Sequence, residues 1–67
     1  MPYVNIKVTD EGVTPEQKSR LIAGVTELLY DVLGKAPEST YVVIDEVALT
    51  DWGVGGMNVE QWRARRS

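Results

Sequence analysis

Cysteine and histidine are both absent from this chain of 67 residues, and that double absence constrains its fold more than any pattern it contains. A chain this short buries a modest fraction of its surface and has a marginal core. Small domains draw extra stability from disulfides, a bound metal or association with further chains. Without cysteine no disulfide can form, and ordinary zinc sites, which rely on Cys and His ligands, are nearly excluded as well. Association is the staple that remains. The chain is therefore expected to be one small domain over residues 1–67 that works as a multimer.

The same absences close off reaction classes. There is no Ser-His-Asp triad, no cysteine nucleophile and no imidazole acid or base. Catalysis, where present, falls to carboxylates, lysines, tyrosines or the N-terminal amine. A net charge of -3 and a pI of about 4.7 argue against nucleic acid as a partner. The locally basic tail Arg63-Ala64-Arg65-Arg66 reads as a solvated or interface-pairing segment. No apolar stretch approaches the ~20 residues of a membrane span, and the start lacks the charged and apolar regions of a signal peptide. A cytoplasmic location without membrane contact is the expectation.

Residues 3–8 alternate, with Val4, Ile6 and Val8 toward one face and Tyr3, Asn5 and Lys7 toward the other. That is the period of a half-buried strand. A loop follows from Thr9 to Val13, with Gly12 as its flexible point. Thr14 is a good N-cap, Pro15 suits the first helical position, and Gln17 completes a capping-box pattern. Leu21, Ile22, Val25, Leu28, Leu29, Val32 and Leu33 then recur at spacings of three and four, one broad apolar stripe. Lys18, Ser19, Glu27 and Asp31 occupy the other face. Gly34 fits a left-handed C-cap, with Pro37 beyond it, so the spacing predicts a helix over about 15–33.

Thr40 to Val47 is rich in β-branched and aromatic residues, a strand apolar on both faces. The helix can cover one face, and the other calls for a partner subunit. Strand, helix and strand make a β-α-β unit, parallel and right-handed by strong preference. Asp51 to Met57 holds three glycines within four residues and reads as a short hairpin or tight turn. It lacks the Lys-Ser/Thr ending of a phosphate loop. The polar tail from Val59 to Ser67 offers Val59 and Trp62 as anchors onto a neighbour.

Pro2 follows Met1 directly and opens the first strand. Initiator methionine is usually removed before a small residue such as proline. Removal leaves a secondary amine at the start of a packed strand. Desolvation lowers the pKa of such an amine, and one poised near neutrality can act as a general base.

Taken in order, the Pro2 strand, the Thr-Pro-Glu-Gln-Lys helix start, Ala-Gly-Val-Thr, Val-Val-Ile-Asp-Glu-Val and Trp-Gly-Val-Gly-Gly resemble the 4-oxalocrotonate tautomerase family, the short-chain branch of the tautomerase superfamily. The resemblance covers roughly residues 2–60. It implies an α/β fold: a two-layer β-α-β unit with parallel strands and a short C-terminal hairpin, assembled into a tautomerase-like homo-oligomer, dimer or hexamer. It further implies keto–enol or dienol–enone proton transfer on a small 2-oxo acid or enol. Pro2 would be the catalytic base, with no metal and no organic cofactor.

Carried over residue by residue, the resemblance makes Trp52 an apolar wall that lowers the amine pKa and stacks on substrate, with Val54 beside it. The alternative for Trp52 is a hydrophobic plug at a subunit interface. Two matches fail. Val13 and Tyr41 stand where the family has the arginines that bind substrate carboxylate and stabilise the enolate. An arginine clamp is hard to replace, so the expected substrate carries at most one carboxylate. Tyr41 could donate to an enolate oxygen or serve as a strand aromatic at the interface. Lys7 and Arg20 are the remaining cations near a site; Lys7 reads as an inter-subunit ion-pairing group and Arg20 as solvated. Asp45 and Glu46, adjacent in a strand, point to opposite faces. One of them is expected to pair across subunits with Lys7 or the terminal arginines. Two other readings stay open: the same scaffold with a different Pro2-dependent reaction (hydratase, dehalogenase or decarboxylase-like), or a non-catalytic subunit beside an active paralogue.

Overall fold

In the computed structural model, which describes residues 1–66 (Arg66 by its backbone alone), the chain runs β1 (Tyr3–Thr9), α1 (Pro15–Leu33), β2 (Tyr41–Val47), β3 (Gly53–Val54), β4 (Met57–Asn58) and α2 (Val59–Arg66). Single 3-10 turns at Pro37–Ser39 and Leu49–Asp51 lead into and out of the second half. β1 and β2 pair in parallel, from Tyr3↔Tyr41 to Thr9↔Val47. β3 and β4 pair antiparallel as a hairpin of two residues each.

α1 begins and ends where its sequence dictates. Thr14 accepts from the Gln17 backbone N–H at 3.1 Å, and the Gln17 side chain accepts from the Thr14 N–H at 2.9 Å, so two orphan donors of the first turn are satisfied reciprocally. At the other end Gly34 takes φ 68, a left-handed conformation that a Cβ would disfavour, and donates to the Tyr30 carbonyl at 2.9 Å.

The helix packs chiefly on β2. A salt bridge from Lys18 to Glu46, 3.2 Å, identifies the face it covers: Val42, Ile44 and Glu46 of β2, with Val4, Ile6 and Val8 beside them in register. Lys18, which the sequence places on the solvated face, is thus half-buried against the sheet edge. Of the apolar stripe, Val25 and Leu29 are half-buried, while Leu28, Val32 and Leu33 stay exposed. The stripe is wider than two strands can cover. The second sheet face presents Tyr3, Asn5, Lys7, Tyr41, Val43 and Asp45, with no element of the described residues packed over it.

The C-terminal segment departs from the sequence reading. Val59 and Trp62, expected to anchor onto a neighbour, anchor inside the chain. Residues 59–66 form a helix capped by a second reciprocal box: Asn58 accepts from the Gln61 N–H at 2.9 Å and Gln61 accepts from the Asn58 N–H at 3.2 Å. Val59 is 7 % exposed and is the one buried residue among those described. Its N–H donates to the Trp52 carbonyl at 2.9 Å, tying helix to hairpin. Ser67, the end of the expected polar tail, lies outside the described residues. Among the described residues no helix is long and apolar enough to cross a membrane.

Candidate active site

Pro2 sits half-buried at the open end of β1. Its carbonyl accepts the Tyr41 N–H at 2.9 Å, which fixes the residue at the start of the parallel ladder. That bond uses the carbonyl and leaves the ring nitrogen uninvolved. With Met1 attached the nitrogen is a tertiary amide and has no basic lone pair; Met1 itself is exposed. Tyr41, paired with Tyr3, shows its ring on the uncovered sheet face. The structure therefore brings Pro2 and Tyr41 together.

It does not bring Trp52 or Val54 to them. Trp52 follows β2 and is half-buried, and Val54 lies in the exposed hairpin. Both belong to the hairpin–α2 unit, and that unit is tied to the far end of the sheet. Arg63 of α2 grips Glu11, two residues past the end of β1, through two bonds of 2.6 and 3.1 Å. The six residue steps from Tyr3 to Thr9 span roughly 20 Å. Within one chain the base and its expected apolar wall lie at opposite ends of the sheet. Val13 is at the wall's end too, just before α1.

The electrostatics separate into local pairs. On the uncovered face Asp45 accepts from Asn5 at 2.8 Å and from Lys7 at 3.0 Å, and these partners lower its pKa, Asn5 foremost. Lys7 and Asp45, expected to pair between subunits, pair within the chain because the register places Lys7 opposite Asp45 on the same face. Glu11 is held down to about 2, first by Arg63 and then by the Thr9 hydroxyl that donates to it. Arg63, raised in turn by Glu11, is thereby an intrachain clamp. Arg65 stacks over the Trp62 ring, 5.1 Å from its centroid.

Sequence reasoning missed the Glu11–Arg63 clamp, which joins positions 52 residues apart with no local signature. Arg20 is exposed, as the sequence reading has it, but that reading gave it no neighbours. In the structure Arg20 lines a depression of about 470 Å³ together with Val13, Gln17 and Leu21. The helical spacing of 17, 20 and 21 was the signal that these side chains share a face.

Comparison with known proteins follows the same lines. A family model described as "Tautomerase enzyme" matches residues 2–61, starting at Pro2. "Probable tautomerase K2" of Dickeya dadantii is 57% identical over 67 residues, covering 100% of both chains. The crystal structure of DmpI from Helicobacter pylori superposes with a TM-score of 0.88 at 45% identity, covering 94% of this chain and 97% of that one. A heterohexamer 4-oxalocrotonate tautomerase from Chloroflexus aurantiacus gives a TM-score of 0.81 at 26% identity, with 91% and 97% covered.

Proposed function

The chain belongs to the tautomerase family, and from that premise we propose that it is a tautomerase whose base is the Pro2 amine, freed by removal of Met1. The observation that carries the reading is Pro2 itself, half-buried and pinned by its carbonyl at the mouth of the sheet, where the family match begins. The free amine would take the hydroxyl proton of a small enol and deliver a proton to carbon, giving the 2-oxo product. Substrate and product then differ only in where one proton sits, so the net step needs no other reactant.

A neighbouring copy would complete the site. Its Trp52 and Val54 would form the apolar wall that disfavours the charged amine and so keeps it unprotonated, free to accept a proton, at neutral pH. Tyr41 would donate to the oxygen on which enolate charge develops. The uncovered sheet face and exposed helix stripe supply the surfaces for a homo-oligomer, a dimer or a hexamer. With Val13 and Tyr41 at the two clamp positions, the substrate would carry at most one carboxylate.

Intact mass spectrometry followed by ketonisation of phenylenolpyruvate tests this. Mature protein should lack Met1, and Pro2→Ala should cut kcat/KM by about 100-fold or more. Retained Met1, or turnover indifferent to Pro2→Ala, sinks the proposal. The substituted clamp positions favour one further reading, a partner subunit for an active paralogue. That reading predicts assembly with no Pro2-dependent turnover on any substrate.

A further inference from the structure

We propose that Gln17 and Arg20 form a binding site for the carboxylate of a small apolar acid, in the depression they share with Val13 and Leu21. Its volume, about 470 Å³, lies within the ~300–1,000 Å³ range of small-molecule sites. Gln17, Arg20 and Leu21 follow one another at helical spacing and present a single face. Val13 and Leu21 supply the apolar part. No carboxylate lines the depression, and among the described residues Arg20 makes no ion pair, whereas Lys7, Lys18 and Arg63 each do.

Gln17 adds a second donor, and the helix cap orients it. Its carbonyl oxygen is taken by the Thr14 N–H at 2.9 Å, so the side chain is pinned and its NH2 is the end left to bind. A guanidinium fork and an amide NH2 over an apolar floor complement a carboxylate on an apolar body. The other depression of similar size, about 400 Å³, is lined by Ala23, Thr26, Glu27, Tyr30 and Pro37. It carries a carboxylate and no cation, the wrong charge for the same ligand.

The site deepens the proposed reaction, resting on it for its place in catalysis: in the copy that lends Trp52 and Val54, it would hold the single carboxylate of an enol acid whose reacting end meets Pro2 of the neighbouring copy. The test separates the two. Phenylacetate is titrated into the full chain and followed by backbone amide shifts. The shifts should centre on residues 13–21, Arg20→Gln should weaken binding about tenfold or more, and Arg20→Lys, which keeps the charge but loses the fork, should fall between. Phenylacetamide should bind wild type and Arg20→Gln alike, and Lys35→Gln should leave phenylacetate binding unchanged. Arg20→Gln should also raise KM for phenylenolpyruvate more than it lowers kcat. Phenylacetate shifts elsewhere, or equal affinity in Arg20→Gln, overturn the site. So does an Arg20→Gln protein that sediments differently while binding normally, which would mark the depression as a contact between copies. Intact binding without Pro2-dependent turnover sinks the reaction and leaves this site standing. Pro2-dependent turnover with no Arg20-dependent binding does the reverse.

Discussion

At the scale of single residues, Gly55 is the glycine with least room for a side chain. It sits at φ 60 in the β3–β4 turn, and a Cβ there would lie 2.7 Å from the Trp62 ring. Backbone and packing thus demand glycine independently: the left-handed conformation costs a side chain free energy, and the ring, flanked by Arg65 on one side, must shift to admit a methyl group. Gly55→Ala should destabilise the protein by about 1–3 kcal/mol, read by urea denaturation at fixed protein concentration, with loss of tryptophan near-UV ellipticity. An unchanged midpoint would show that the turn and Trp62 do not pack as described. Gly34 is left-handed too, but a Cβ would meet nothing there, so only the conformational cost applies.

Among elements, the bounds of α1 were legible because their information is local, whereas Lys18 on its flank was not, because its partner Glu46 lies in β2. Thr14, Pro15 and Gln17 announce the start of α1, Gly34 its end, and the structure places it at Pro15–Leu33. The parallel partner strand was legible for the same reason, a dense β-branched run. α2 carries the same Asn-x-x-Gln type of box, but its polar composition hides it: the helix lacks an apolar stripe and leans on Val59 and Trp62 alone. The candidate site was legible only as residue types. Which end of the sheet each occupies depends on the register of β1 with β2 and on Arg63 reaching Glu11, contacts 38 and 52 residues apart.

That last clamp makes an acid-sensitive joint between α2 and the loop before α1. Glu11 titrates in the folded chain at about 2 against its usual 4.5, so the folded state favours its ionised form. The stabilisation is complete above about pH 4.5 and is lost as pH falls toward 2. Amide shifts of α2 around residue 63 should therefore move further between pH 4.5 and 2 in wild type than in Arg63→Gln. The pair is half-exposed, so the effect should shrink in 1 M salt, where screening acts within ~3 Å. Identical acid profiles in wild type and Arg63→Gln would remove the clamp from the account.

For the molecule as a whole, shape and burial point the same way. Its Cα radius of gyration is 15.4 Å, whereas a self-contained domain of this length would have roughly 11 Å. The longest extent is 45 Å, about twice the length of β1, because the hairpin and α2 project beyond the β-α-β unit. A chain with a single buried residue among those described, showing Val32 at 69% and Tyr3 at 65% exposure, has too little apolar burial to offset its own ordering entropy. On the proposed homo-oligomer, the remaining free energy of folding comes from surfaces met between copies, chiefly the uncovered face carrying Tyr41 and Val43. Folding and association should be one transition, with a Tm that rises with protein concentration. Val43→Asp puts a charge at the centre of that face, beside Asp45, and desolvating it there is costly. Sedimentation and circular dichroism at micromolar concentration should find wild type folded and oligomeric, and Val43→Asp dissociated with its helical signal largely gone. A folded, monomeric Val43→Asp chain, or a wild-type Tm independent of concentration, would mean the β-α-β unit is stable alone, and the case for a site completed by a second copy would fall with it.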